Sequence, residues 1–414
     1  MRDGDLYAKL LGIEKPWFVQ AVDARLGEGE VEVRIELTPK ARLACPECGA
    51  ICGRYDKRTR SWRHLDTMQY RTVLTADVPR VTCKEHGVKQ IVVPWAEPGS
   101  RLTALFESLV IDWLGEASTS AVAKMLRMSW DEVDGVMSRA VARGLARRES
   151  LPLRKIGVDE TSFQKRHEYV TVVYDTERGR VLEVLDGHKQ KDLENFFWDT
   201  PLEHILTIRS VSMDMWPAYI NAVKGHIEDP ERKICFDRFH VAQHFGKGVN
   251  KVRAEETAEL RAAGDDTLVG TRYLWLQNPE NMKPKNKARF EVLRDATFKV
   301  ARAWAMKDLA RGLWRYRTRG WAQRAWGRLI DWMSRSRLGP MIKVAKMLRE
   351  HLWGIINAIV LKATNADLES TNAKIQALKK RACGYRNRGR FRHAILFHCG
   401  DLQLHPPLLA HTTS

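Results

Sequence analysis

The feature that most constrains the fold of this chain is a strand-like stretch, residues 155–163, that carries two adjacent acids, Asp159 and Glu160. Apolar residues alternate with polar or small ones along it, as in a half-buried strand. Two further strand patterns follow after short polar connections, at 169–174 and 181–185. These three stretches predict an antiparallel meander whose first strand ends at a carboxylate.

Two later apolar stretches also run into an aspartate. Residues 205–213 predict a strand that ends at Asp214, and residues 233–236 predict a strand that ends at Asp237. Helical patterns at 189–198 and 216–223 separate them. A meander followed by strands that alternate with helices predicts a mixed sheet of the α/β type.

Carboxylates at strand ends could hold a divalent cation, because hard cations prefer oxygen ligands. For Asp159 taken alone, the simpler interpretation is a solvated acid in a loop. The metal interpretation gains weight only if several acids meet at one edge of the sheet.

A second metal pattern lies nearer the amino terminus. Cys45 and Cys48 form one C-x-x-C pair, Cys83 and His86 form a C-x-x-H pair, and a glycine follows each. The glycine lets the backbone turn so that both side chains face one ion. Together they predict a structural, tetrahedral zinc site with three sulfurs and one nitrogen. Buried free thiols are the alternative, and Cys52 is a possible rival ligand.

The net charge indicates a polyanionic partner. The chain of 414 residues carries 69 Lys and Arg against 51 Asp and Glu, a formal charge of +18, which favours DNA or RNA as partner. We see no signal peptide, and the longest apolar run, residues 352–361, is too short to span a bilayer. The sequence therefore predicts a cytoplasmic, nucleoid-associated protein with no membrane contact.

Residues 102–146 have a helical pattern, and 119–138 resemble a helix-turn-helix in the spacing of their apolar residues. Arg127 stands where that motif usually has glycine. Ser129 is placed to cap the second helix, which would enter the major groove. An ordinary helical pair explains the spacing equally well. Four arginines favour DNA binding: Arg139, Arg143, Arg147 and Arg148.

Residues 249–360 are helical in pattern, basic and rich in tryptophan. Basic residues interleaved with aromatic ones suit a nucleic-acid backbone and unstacked bases. For most of these tryptophans a place in the helical core is the better interpretation. Arginines predicted to contact DNA here include Arg315, Arg317 and Arg319.

A last helix is predicted from about Thr364, where Thr364 and Asp367 have the spacing of a capping box. Asn365, Glu369, Asn372 and Gln376 would share its polar face. A basic segment follows, with further predicted DNA contacts at Lys379, Lys380, Arg381 and Arg386.

These motifs, in this order, resemble those of bacterial insertion-sequence transposases of the ISL-three family. The residues that carry the resemblance are Val158-Asp159-Glu160, Met213-Asp214, Asp237-Arg-Phe-His240, Leu368-Glu369-Ser-Thr-Asn372 and Arg381-Ala-Cys-Gly-Tyr-Arg-Asn387. The resemblance spans nearly the whole chain. It implies an amino-terminal zinc ribbon, a helix-turn-helix and a DDE catalytic domain of ribonuclease H-like fold with a helical insertion.

The resemblance also implies the chemistry. Asp159, Asp214 and Glu369 would be the catalytic acids, with Mg²⁺ or Mn²⁺ as cofactor, and Asp237 and His240 would form an auxiliary element beside them. The partner would be double-stranded DNA, both the terminal inverted repeats and the target. The reaction would be hydrolysis at the ends of the element followed by strand transfer, carried out by a homodimer or a higher oligomer.

The expected architecture is therefore multidomain α+β. We expect an amino-terminal hairpin and zinc ribbon at 1–98, a helix-turn-helix at 99–150, a ribonuclease H-like domain at 151–248 and 361–414, and a helical insertion at 249–360. Two other functions remain compatible with these residues: a DNA-binding regulator without cleavage, and a structure-selective nuclease. A nicking assay separates the first from a transposase, and strand-transfer products separate the second.

Overall fold

The computed structural model describes residues 3–164, 168–363 and 366–407, with the backbone alone for Ala366 and Asp367. The predicted capping box and the position of Asn365 fall outside these residues. The chain forms two compact units, one from residues up to 148 together with the chain from 402, the other from residues 149–401. Within the described part, no helix combines the length and the apolar character needed to cross a membrane.

The first unit is built around a five-stranded sheet in the order β1-β2-β4-β3, with β5 paired to β4. Its elements are α1 (Asp3–Leu11), β1 (Trp17–Arg25), β2 (Glu30–Leu37), β3 (Gly53–Thr67), β4 (Tyr70–Cys83) and β5 (Gly87–Gln90). β1 and β2 pair antiparallel, which confirms the amino-terminal hairpin. Trp95 lies edge-on to both Trp17 and Trp62 in its buried core.

Three helices complete this unit: α2 (Ala104–Glu116), α3 (Thr119–Leu126) and α4 (Trp130–Ala146). Arg127 ends α3 in the left-handed conformation, with φ 53° and ψ 46°, which is why glycine is usual at this position. Its guanidinium donates to the carboxylate of Asp66 and to the carbonyl of Gln69. Ser129 caps α4 in a capping box with Glu132, as the sequence predicted.

The second unit contains the mixed sheet, in the order β10-β9-β6-β7-β8. Its strands and intervening helices are β6 (Lys155–Gln164), β7 (Glu168–Asp175), β8 (Arg180–Leu185), α5 (Gln190–Asp199), α6 (Leu202–Leu206), β9 (Ser210–Met213), α7 (Pro217–His226), α8 (Pro230–Lys233) and β10 (Ile234–Phe236). β6, β7 and β8 form the predicted antiparallel meander, and β9 and β10 run parallel to β6.

Two details of the predicted strands are wrong. The strand expected over 205–213 begins only at Ser210, because Pro201 starts the short helix α6 and its apolar residue Ile205 is buried there. The first strand does not end at Asp159 either. β6 continues to Gln164 because it remains paired with β7 beyond the point where β9 stops.

A helical region follows β10: α9 (Arg238–Ala262), α10 (Arg272–Leu276), α11 (Pro284–Asp295), α12 (Lys299–Leu313), α13 (Arg319–Ser334) and α14 (Gly339–Val360). The expected domain boundary at residue 249 falls inside the continuous helix α9. Several tryptophans are core residues, as expected for most of them; Trp275 and Trp326 are fully buried, whereas Trp321 is exposed.

Two helices close the second unit, α15 (Ala366–Arg381) and α16 (Arg388–Cys399). α15 was predicted as the last helix, with a basic tail behind it, and this is wrong. The arginines at 388–392 suggested an exposed tail, but this segment begins a second helix. Its apolar residues Phe391, Ile395 and Leu396 are fully buried. The chain then returns to the first unit. There Arg147 donates a hydrogen bond to the carbonyl of His405, and the ring of His405 is hydrogen-bonded to the carboxylate of Asp112.

The long helix α14 holds β10, the strand that precedes Asp237. Gly354 lies so close to the buried ring of Phe236 that a Cβ there would be 2.4 Å from Cδ2 of the ring. One turn further, the buried amide of Asn357 donates to the carbonyl of Ile234 at 2.8 Å and accepts from Arg319 at 2.7 Å. The insertion thus fixes the position of the strand end that carries Asp237.

Gly354→Ala should therefore destabilise the second unit by about 1–3 kcal/mol, the usual cost of forcing an extra methyl group into a packed core. Urea unfolding of the full-length variant measures this effect.

Gly327→Ala is the matched control, since Gly327 also lies within a helix but has no atom within 4 Å of an added Cβ. There we expect an unchanged or raised stability, because alanine favours helix over glycine by about 1 kcal/mol. Equal stabilities of the two variants would contradict the close contact with Phe236.

Candidate active site and metal centre

The acids predicted from the sequence gather at one edge of the mixed sheet. The parallel pairing of β6 with β9 ends at Gly157, so Asp159 projects just beyond the end of β9. Asp214 follows the last residue of β9, and Asp237 follows the last residue of β10. Carboxyl ends of parallel strands meet at the same edge of a sheet, where open α/β sheets bind their ligands.

Both carboxylate oxygens of Asp159 are held by donors. Oδ1 accepts the backbone N–H of Glu160 at 2.8 Å, and Oδ2 accepts Nδ2 of Asn372 at 2.5 Å. Burial raises the pKa of Asp159 to about 6, and the charges of Asp237 and Asp214 add to the increase while His240 opposes it. Asp159 is therefore a buried acid whose negative charge lacks sufficient compensation within the protein.

Asp214 and Asp237 share this electrostatic environment. Burial, with a contribution from Asp237, raises the pKa of Asp214, whose Oδ1 accepts the backbone N–H of Trp216 at 2.9 Å. Asp237 caps α9 by accepting the N–H of Phe239, and it accepts Nδ1 of His240 at 2.9 Å. This hydrogen bond is the main cause of the raised pKa of His240.

The donor set suits a divalent cation. Over residues 3–164, 168–363 and 366–407, no lysine or arginine forms an ion pair with Asp159 or Asp214. The charge of Asp237 raises the pKa of both Asp159 and Asp214, so a hard cation would relieve this repulsion and supply positive charge. The ligand atoms of these acids do not all lie within 4.8 Å of one another. Among the described residues, only the side chains of Cys45, Cys48, Cys83 and His86 form a group of potential metal ligands that meets this distance.

Glu369 approaches the acids from the side of α15. It is exposed, and it lines a cavity of about 640 Å³ together with Asp237. Arg315 and Arg317 of the insertion line the same cavity. The structure thus brings Asp159, Asp214, Asp237 and His240 together, and it places Glu369 in a cavity that Asp237 also lines.

The four predicted zinc ligands of the first unit lie together. Their ligand atoms are all within 4.8 Å of one another, with Cys48 Sγ and Cys83 Sγ 3.7 Å apart and Cys83 Sγ and His86 Nδ1 3.6 Å apart. A tetrahedron with Zn–S bonds of about 2.3 Å has edges of about 3.8 Å, so the cluster has the dimensions of a zinc site.

The electrostatics agree with this geometry. Backbone N–H groups of His86 and Glu85 and the ring of His86 lower the pKa of Cys83 to about 6, which favours the thiolate that a metal needs. Cys52 lies outside the four, and its thiol donates to the carbonyl of Ala50. The cluster therefore has the donor set and the dimensions of a structural Cys₃His zinc site.

The arginines expected to bind DNA near α4 have partners inside the first unit. Arg143 is 7% exposed and donates to Glu97 at 2.5 Å and to Glu107 at 2.6 Å. Arg139 donates to the other oxygen of Glu107 at 2.8 Å. Arg147 donates to the carbonyl of His405, and Arg148 follows it at the end of the unit. DNA contacts at these four residues remain predictions.

The other predicted DNA contacts occupy mixed surroundings. Lys379 donates to the carbonyl of Ser162 at 2.8 Å, and Arg319 donates to Asn357. Arg381 contacts His398 at 3.2 Å. The remaining positions are exposed, namely Lys380, Arg386, Arg315 and Arg317, whereas Ser129 is occupied in capping α4.

Two residues beside Asp159 were missed as parts of the site. Tyr174 was predicted only as a strand residue and Asn372 only as part of a polar helix face, yet the Tyr174 hydroxyl donates to Asn372 Oδ1 at 2.9 Å. The polar face of α15 was the available signal for Asn372. Tyr174 had none, because its role depends on the pairing of β7 with β6.

Comparisons with known proteins agree with this architecture. A family model described as Transposase matches residues 156–395, more than half of the chain. The helix-turn-helix domain of transposase family ISL3 matches residues 92–141. The zinc-finger of transposases IS204, IS1001, IS1096 and IS1165 matches residues 41–86.

Curated relatives extend the similarity to nearly the full length. The transposase for insertion sequence element IS1557 of Mycobacterium tuberculosis is 28% identical over 94% of this chain and 93% of its own. The transposase for insertion sequence element IS1001 of Bordetella parapertussis is 26% identical over 86% of this chain and 89% of its own. A zinc ribbon, a helix-turn-helix and a mixed-sheet domain with acids at one edge thus occur in the family's order, and the chain belongs to the ISL3 family of insertion-sequence transposases.

Proposed function

We propose that this transposase cleaves DNA at the ends of its insertion sequence and joins them to target DNA, with Asp159, Asp214 and Glu369 as the catalytic acids. The observation that carries the proposal is the group of acids at the edge of the mixed sheet where β9 and β10 end and β6 runs past them. Burial, with a contribution from the charge of Asp237, raises the pKa values of Asp159 and Asp214, as is typical of functional sites.

Asp159, Asp214 and Glu369 would hold Mg²⁺ or Mn²⁺. Ions bound there would supply Lewis-acid chemistry, which activates the attacking oxygen and stabilises the leaving oxygen of a phosphoryl transfer. The protein orients Asp159 through its two hydrogen bonds and places Asp237 and His240 beside the acids. Arg315 and Arg317, which line the same cavity as Glu369, would neutralise the phosphates of the bound strand.

The substrate would be double-stranded DNA, both the terminal inverted repeats and the target. The protein would act at the nucleoid, as a homodimer or a higher oligomer on the DNA. The test uses labelled duplexes that contain the inverted repeats flanking this gene, incubated with the full-length protein in Mg²⁺ or Mn²⁺. We expect cleavage at the repeat end and strand-transfer products with a target plasmid. Cleavage without strand transfer would indicate a nuclease, and binding without cleavage a regulator.

We further propose that the first unit recognises the repeats. Replacing Arg147 and Arg148 together by alanine should weaken binding of the full-length protein to the repeat and to random DNA alike. Each lost phosphate contact should lower the slope of log affinity against log salt by about 1. Fluorescence anisotropy at several salt concentrations measures both quantities.

The matched comparison is the double replacement of Arg315 and Arg317 by alanine in the insertion. It should impair cleavage more than binding to the repeat, because those arginines line the cavity at Glu369. If replacing Arg315 and Arg317 instead removed most of the preference for the repeat over random DNA, recognition of the repeat ends would belong to the helical insertion.

A further inference from the structure

Helix α15 is docked along β6 in a matched register. Leu368 packs against Gly157, where a Cβ would be 2.7 Å from Cδ1 of the leucine. One turn later Asn372 contacts Asp159, and one turn after that Gln376 Nε2 donates to Thr161 Oγ1 at 2.7 Å. Four helical residues advance about 6 Å and two strand residues about 6.6 Å, so successive turns meet every second strand residue.

The contact at Asp159 has a defined direction. The Tyr174 hydroxyl can only donate to the amide oxygen of Asn372, and it does so at 2.9 Å. This fixes the amide with its NH₂ group toward Asp159, to which Nδ2 donates at 2.5 Å. Tyr174 is 2% exposed, so no solvent competes for its hydroxyl.

We propose that Asn372 is a positioning residue for Asp159, and that Tyr174 acts through Asn372. The backbone N–H of Glu160 holds one carboxylate oxygen and the Asn372 amide holds the other. Each oxygen retains a further lone pair for a metal ion, and rotation of the carboxylate would break one of the two hydrogen bonds. The proposal rests on Asp159 being a metal-binding catalytic acid.

The arrangement also explains why α15 carries an amide at this position. An aspartate would place a second acceptor against Asp159, whereas an amide offers an acceptor to Tyr174 and a donor to the carboxylate. Partners of this kind fix the geometry of metal ligands, and their loss commonly lowers metal affinity or activity 10- to 100-fold.

The test measures Mn²⁺ binding by electron paramagnetic resonance and cleavage of the repeat duplex, both with full-length, zinc-loaded protein. Asn372→Ala should weaken Mn²⁺ binding at the site abolished by Asp159→Asn by about tenfold or more, and slow cleavage to a similar degree. Tyr174→Phe should have a smaller effect of the same kind. The double variant should be no worse than Asn372→Ala, because Tyr174 has nothing left to orient.

Gln376→Ala is the matched control, since it removes a hydrogen bond of the same helix–strand contact without touching an acid. It should change the thermal midpoint as much as Asn372→Ala does, but leave Mn²⁺ binding and cleavage within about twofold of wild type. Wild-type Mn²⁺ binding in Asn372→Ala, or multiplying losses in the double variant, would overturn the positioning role. If Asp159→Asn itself left Mn²⁺ binding and cleavage intact, the catalytic assignment of Asp159 would fall first, and this role with it.

Discussion

Asp159→Asn, Asp214→Asn and Glu369→Gln should each abolish cleavage of the repeat duplex while binding to it persists. The amide is nearly the same size as the carboxyl group, so packing survives, but it lacks the charge that holds a hard cation. Asp237→Asn should lower the rate of cleavage without abolishing it, because Asp237 orients His240 and caps α9. Cleavage in Mg²⁺ and in Mn²⁺ is measured for all four variants.

Glu203→Gln is the control for this series, because Glu203 is an exposed acid of the same unit whose side chain is 78% accessible and lies on α6. It should cleave at the wild-type rate. Full activity in Glu369→Gln combined with none in Asp237→Asn would replace Glu369 by Asp237 as the third acid.

The stability of the metal-free protein gives an independent check that the fold survives. Because the pKa of Asp159 is raised from 3.8 to about 6, the folded state binds the proton more tightly than the unfolded state. The stabilisation that comes from this proton is fully present below about pH 4 and is lost as the pH rises through about 6. The free energy of unfolding falls by up to about 3 kcal/mol over this range. Metal-free Asp159→Asn should therefore match or exceed the wild type in thermal stability near pH 8.

Cys48→Ser or Cys83→Ser should unfold the zinc-ribbon segment and abolish binding to the repeat. Zinc binding and folding are coupled at such sites, where apparent binding free energies reach about 10–16 kcal/mol, and four protein ligands leave no open position for catalysis. Metal analysis of the wild type should give about one zinc per chain. Hydrogen exchange should show lost protection around residues 43–52 and 83–90, with the second unit unaffected.

Cys52→Ser provides the matched control in the same segment. Its thiol lies outside the cluster of four, so zinc content and protection should remain those of the wild type. Zinc loss in this variant would make Cys52 a ligand. A zinc-free wild type that still bound the repeat would remove the structural role of the metal.

The parts of the fold that could be predicted from the sequence depend on local signals. The meander follows from the alternation of apolar residues in β6, β7 and β8. The zinc cluster follows from the C-x-x-C and C-x-x-H pairs, each of which is followed by glycine. The cap at Ser129 needed only its neighbour Glu132. In each case the residues that decide the structure are close in sequence or carry a chemistry with few alternatives.

The errors arise where distant residues decide. β6 passes through Asp159 because β7 continues to pair with it, and no property of 155–163 indicates this. Helix α16 begins with three arginines within five residues, which suggested an exposed tail, but its apolar residues pack in the second unit. Arg143 was predicted to belong to a basic cluster that binds DNA, whereas in the structure its guanidinium forms ion pairs with two carboxylates, Glu97 and Glu107.

The contact of Gly354 and Asn357 with β10 bears on how the length of this enzyme can vary. The insertion leaves the sheet through α9 and returns through α14, and the second of these helices covers Phe236. A deletion that reaches Gly354 exposes the strand that leads to Asp237, and one that takes α13 removes Arg319 and its hydrogen bond to Asn357. Shortened versions of this transposase should therefore keep α9, α13 and α14 as a fixed base, together with Arg315 and Arg317 at the cavity.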